Sequence, residues 1–266
     1  MITWWCTALE EPWRWQFIAY PGIWVASAIP LILYVRAVRR HEGPVDWKKA
    51  ALFVAGILVW WLASDWPLGT LGAGYLASAH MVQFLLYTLV SAPLLLLGTP
   101  EWMARRFVAN LHIEGLVVWL GRNLVATAAI YNVLLLSTHA PPTVQLLRTN
   151  QFGSFAMDVI WLIAGFLLWL PVIAPLPEAK AASPWTKMIY LFLTTSVVAV
   201  IPASFLTFTR TPIYGIYELA PRIGTLTALE DQQLAGIIMK IATIPIIWST
   251  IAVLWFRWSA RETQAA

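Results

Sequence analysis

Charge is what this chain has least of. Asp, Glu, Lys and Arg make up 11% of its 266 residues, against a hydrophobic share of 60%. A soluble domain is about one-quarter charged and about 45–50% apolar. So few charges cannot coat a water-facing surface, which excludes a soluble enzyme, a disordered tail and a nucleic-acid-binding module. Cysteine is nearly absent. Cys6 alone rules out an intramolecular disulfide and a cysteine-based metal cage. No Gly-rich phosphate loop, nucleophile elbow or paired-carboxylate arrangement is present. No two histidines stand four apart on one helix face, the spacing that marks a metal site. Internal repeats and Gly/Pro-broken helix pairs are missing, which argues against a transporter of the inverted-repeat type. No apolar run alternates with period two, so a membrane β-barrel is not expected. The first residues hold Glu10, Glu11 and Arg14 rather than a basic leader, so a cleaved signal peptide is not expected.

What the chain does have is long apolar runs and 17 Trp residues. A helix needs about 20 mostly apolar residues to cross a bilayer, and Trp favours its interfaces. Seven spans are expected, over about 15–35, 50–63, 71–97, 116–136, 153–173, 185–206 and 234–256, forming one all-α transmembrane domain. The Trp-rich segment before the first span is expected to lie at the interface. Residues 100–115 place Trp102, Phe107 and Leu111 beside Arg105 and Arg106, which suits an interfacial helix or a plain basic loop.

Lys and Arg set the orientation. One side collects Arg36, Arg39, Arg40, Lys48, Lys49, Arg105, Arg106, Lys180, Lys187, Arg257 and Arg261. The other has only Arg14, Arg148, Arg210 and Arg222. The N-terminus is expected outside and the C-terminus in the cytoplasm. The net charge of +4 then reflects cytoplasmic loops, not a polyanion partner.

Polar residues inside spans are costly and tend to face protein or a cavity. His80 shares a helix face with Gln83, Phe84 and Tyr87. It is either a metal ligand or a neutral core histidine hydrogen-bonded to a neighbour. His139, just past the fourth span, is the one other histidine in the same half. Asp158 in span five and Lys240 in span seven form a candidate ion pair, though either could instead snorkel to the surface. Asp231 and Gln232 open span seven, where a carboxylate would cap that helix. Met81, Met157 and Met239 are thioethers in the same half, a residue type that suits Cu(I) but more often serves packing.

Two blocks carry a resemblance. One is residues 78–86, Ser-Ala-His-Met-Val-Gln-Phe-Leu-Leu, followed by Ser-Ala-Pro-Leu-Leu-Leu-Leu-Gly-Thr-Pro over 91–100. The other is Asp-Gln-Gln-Leu-Ala-Gly-Ile-Ile-Met over 231–239. Together they resemble the CtaG-like family of membrane cytochrome c oxidase assembly factors, first associated with caa-type oxidases. Residues 164–172, Ala-Gly-Phe-Leu-Leu-Trp-Leu-Pro-Val, are similar to the family's fifth-span ending.

The resemblance implies a seven-helix bacterial inner-membrane protein that serves a heme-copper oxidase by binding rather than by turnover. Its partners would be oxidase or other respiratory-complex subunits and the lipid bilayer, with no nucleic acid. Two other readings are a permanent accessory subunit of a respiratory complex and a metal-ion or small-molecule transporter. The family usually has a second histidine four residues after the position of His80, where this chain has Phe84. It also tends to have a histidine early in span five, which this chain lacks, and commonly an aromatic residue at the position of Lys240. The metal-ligand candidates are therefore reduced to His80 and His139. Copper is admitted by that residual set but not favoured.

Overall fold

The structure, a computed structural model, describes residues 3–180 and 183–265, and every regular element among them is helical. Six helices are long and apolar enough to cross a membrane, or seven if one bent pair is a single span. The long helices are α1 (Pro21–Arg39), α2 (Trp47–Ser64), α4 (Ala77–Gly98), α9 (Gln151–Ile173) and α10 (Pro184–Phe208). The last, Ala228–Gln264, is divided at Ala242 into α12 (Ala228–Ile241) and α13 (Thr243–Ala265). Short helices fill the ends: α3 (Leu68–Gly74), α5 (Glu101–Asn110), α8 (Pro141–Arg148) and α11 (Gly215–Glu218).

The fourth expected span is not one straight helix. It breaks into α6 (Glu114–Arg122) and α7 (Leu124–His139), bent by 97°. Asn123 makes the break: its side-chain oxygen accepts from Ala126 N at 3.1 Å and starts a new helix there. Gly121 lets α6 lie directly on the backbone of Ala179, where a Cβ would not fit. The third span also begins later than expected. Leu76 is extended, which separates α3 from α4.

α4 and α9 form the centre of the bundle and are buried along much of their length. Gly165 brings α9 against Thr88 and Ala92 of α4. At that level α4 widens into a π-helical stretch, Leu86–Ser91. Such a stretch disturbs the helical hydrogen-bond ladder, and Trp169 Nε1 donates to Thr88 O at 2.9 Å. The Ala-Gly-Phe-Leu-Leu-Trp string is thus a packing device. α1 is largely exposed and rests mainly on α2.

The two ends of the bundle differ. At one, Arg105 pairs with Glu101 (2.7 Å) and Glu178 (2.6 Å), and His41 stacks on Trp102 with centroids 4.0 Å apart. The Arg105 guanidinium holds the Glu178 carboxyl below its ordinary range. α5 forms as a helix but turns Ala104 and Val108 inward, leaving Phe107 and Leu111 exposed. The other end holds the N-terminal segment, α3, α8, α11 and the starts of α4, α9 and α12.

Candidate functional site

A polar cluster lies inside the bundle at the end that holds Trp5. Its centre is an ion pair the sequence reading missed. Arg148, the last residue of α8, is completely buried, and its Nη2 lies 3.0 Å from Asp158 Oδ1 on α9. The contact meets the distance for an ion pair but is not aligned as a hydrogen bond, so both atoms keep unmet hydrogen-bonding capacity. The guanidinium carbon sits 4.9 Å from the ring centroid of Trp161, one helical turn beyond Asp158. Asp158 Oδ2 accepts from Trp5 Nε1 at 2.8 Å.

The expected partner of Asp158 was Lys240, and this is corrected. Lys240 is exposed on the outer face of α12, away from the cluster. By sequence Arg148 reads as a loop charge. The chain turns directly from α8 into α9, and that places residue 148 against residue 158. The one signal available from sequence was the need of Asp158 for a cation, which did not say which one.

The two histidines also lie beside Trp161. Their ring centroids are 6.0 Å apart, and His80 meets Trp161 edge-on at 4.7 Å. The proton positions follow from their partners. Tyr217 OH lies 2.7 Å from Gly72 O and 2.8 Å from His80 Nδ1. A carbonyl only accepts, so the tyrosine proton goes to Gly72, and His80 Nδ1–H donates to the phenol oxygen. Burial pushes the Tyr217 hydroxyl well above its ordinary pKa, which keeps that proton in place. His139 Nδ1 lies 2.8 Å from Leu135 O and must likewise donate. Each imidazole therefore has a bare Nε2 lone pair, buried and without a partner among the described residues.

Tyr214 OH donates to His139 O at 2.7 Å. Residues 211–231, which join the sixth and seventh expected spans, reach inward, with Tyr214 and Tyr217 holding one histidine segment each. Gln83 Nε2 donates to Ala63 O at 2.8 Å and leaves Oε1 unpaired. Phe84 stands 4.6 Å from the His139 ring, centroid to centroid.

Asp231 does not cap its own helix. Thr227 does, in a capping box with Glu230. Asp231 instead accepts from Ala77 N (2.6 Å), Ser78 N (3.2 Å) and Ser78 Oγ, closing the N-terminus of α4 three residues before His80. Gln232 Oε1 accepts from Ile213 N at 2.7 Å. Gly236 lets α12 touch Ala203 and Thr207 of α10. The second family-like block is thus a set of ties that hold the frame around His80. Asp231→Ala is expected to cost about 2 kcal/mol of stability by removing a charged cap. Thermal unfolding in detergent measures this, and an unchanged midpoint would show that the cap carries no load.

Within the N-terminal segment, Trp5 and Cys6 are buried in the bundle at 1% exposure each, while Trp15 is exposed. Residues 4–8 run across the mouth of the cluster. Together Arg148, Trp5, Tyr214 and Tyr217 complete a site of which the sequence showed only His80, His139, Gln83 and Asp158.

With this geometry in place, one comparison is informative. The family model described as cytochrome c oxidase caa3 assembly factor matches residues 32–261. No match to the chain was found among curated proteins or solved structures.

Proposed function

Because the chain belongs to the cytochrome c oxidase caa3 assembly factor family, we propose that it supports assembly of a heme-copper oxidase by binding oxidase subunits within the bilayer, not by turning over a substrate. The observation that carries this is the family match across nearly the whole chain. The structural role of both family-like blocks agrees with it, since each builds the frame around the buried cluster. Deleting the protein should lower the amount of assembled oxidase and its reduced heme spectrum. A normal spectrum in the deletion strain would reject the assembly role.

The orientation we infer has the Trp5 end outside a bacterial inner membrane and the Arg105 end in the cytoplasm, on the Lys/Arg asymmetry of the loops. Single cysteines at Arg40 and Thr225, both exposed, should react with an impermeant thiol reagent from opposite sides. Reaction of both from one side would refute this topology.

Copper as cargo fits the cluster poorly. A tight site generally needs three or four suitable ligands. Two imidazole nitrogens are free, but no group of three His, Cys, Asp or Glu side chains able to hold a metal occurs among the described residues. The guanidinium of Arg148 lies over the same indole that both imidazoles touch, and its fixed positive charge opposes a second cation in a low-dielectric interior. His80 acts as a hydrogen-bonding post for Tyr217, and His139 as one for the α7 terminus.

A further inference from the structure

Residues 4–8 have no secondary structure of their own and are held by individual hydrogen bonds. Trp4 N and Trp5 N donate to Gln151 Oε1 at 2.7 and 3.3 Å. Trp5 Nε1 donates to Asp158 Oδ2. Thr7 Oγ1 and Ala8 N both donate to the carbonyl of Arg148, at 2.8 and 3.0 Å. Cys6 Sγ donates to Ser64 O at 3.2 Å.

The surrounding chain is shaped to receive this segment. A Cβ on Gly22 would strike Trp4 and one on Gly74 would strike Ala8. Between the segment and α1, residues 10–17 are non-helical and mostly exposed. Lifting residues 4–8 out therefore unfolds no helix; it breaks the bonds just named and the bond from Gly22 N to Trp4 O at 3.0 Å, and takes Trp5 and Cys6 away from Tyr20, Ile23 and Ala73. Trp5 lies directly on the Asp158 carboxylate, so their removal uncovers Asp158 and the Arg148 paired with it. Opening that leaves every helix intact is local rather than global.

We propose that residues 4–8 are a removable plug, withdrawn on the tether of residues 10–17 to open the buried Arg148–Asp158 cluster to that end of the bundle. The plug holds its own reporter. Cys6 is the one cysteine of the chain and is 1% exposed. Burial also raises its thiol pKa, with the contact to Thr70 opposing only in part, so reaction marks the opened form.

The full-length protein in mild detergent should react at Cys6 with a maleimide at a rate that does not depend on low denaturant. Trp5→Phe removes the bond to a carboxylate while keeping a ring in the socket, and should speed labelling by about tenfold. Thr7→Val, which deletes one bond to a carbonyl, should speed it by a few-fold and serves if Trp5→Phe does not fold. Trp185→Phe, at the opposite end, should leave the rate unchanged. If Cys6 reacts only as the whole protein unfolds, with a rate that tracks the melting temperature in all three variants, the segment is a fixed part of the fold and the plug is disproved. This readout does not involve the oxidase, so it stands or falls apart from the assembly role.

Discussion

Arg148→Met should destabilise the protein by about 3–5 kcal/mol, the cost of leaving one partner of a buried ion pair alone. The variant keeps most of the side-chain volume and removes the cation beside Asp158. The carboxylate then keeps the bond from Trp5 Nε1 but stays buried without a cation. Asp158→Leu alone should cost a similar amount, because it strands the guanidinium. The double variant should recover most of the loss, since an apolar pair of similar volume carries no desolvation penalty. Thermal unfolding of the three variants in one detergent gives the coupling directly. Additive losses would mean that the two charges, though 3.0 Å apart, do not depend on each other.

Phe84→His should turn a protein that holds well under one copper into one that holds about one per chain. Phe84 is four residues after His80 on α4, and its ring is 4.6 Å from that of His139. An imidazole there joins two nitrogens that already have free lone pairs. The bound copper should disappear again in the Phe84→His, His80→Ala double variant. Elemental analysis after gel filtration decides the matter. Stoichiometric copper in the unaltered protein, lost in His80→Ala, would overturn the reading of His80 as a hydrogen-bonding post.

The spans were legible because bilayer thickness fixes how many apolar residues must follow one another. α2, α9 and α10 all lie within a few residues of where hydropathy put them. Breaks made by side-chain capping were not legible. Asn123, following Gly121 and Arg122, bends by 97° a stretch that hydropathy reads as one span. Asp158 was readable as a buried charge in need of a partner, yet its partner came from a residue counted as loop charge. His80 and His139 were found as the histidines sharing one half of the bundle, and they do meet. Their hydrogen-bond partners, Tyr217 and Leu135, were not visible. One comes from a segment that hydropathy reads as an outer loop, the other from backbone that sequence does not show.

Asp231 illustrates a further limit. Its position just ahead of an apolar run suggests a cap, and it is one, but for α4 rather than for its own helix. Local pattern shows that a carboxylate belongs at a helix start. Only the packing of α12 beside α4 shows which start it serves.

Binding of oxidase subunits in the membrane is the action proposed for this protein. The direct measurement is affinity purification of the full-length protein from native membranes in mild detergent, with identification of what co-migrates on a native gel. The account predicts heme-copper oxidase subunits in the same band, enriched when oxidase maturation is stalled by heme or copper limitation. A band with no oxidase subunit under either condition, from cells that make the oxidase, would contradict it.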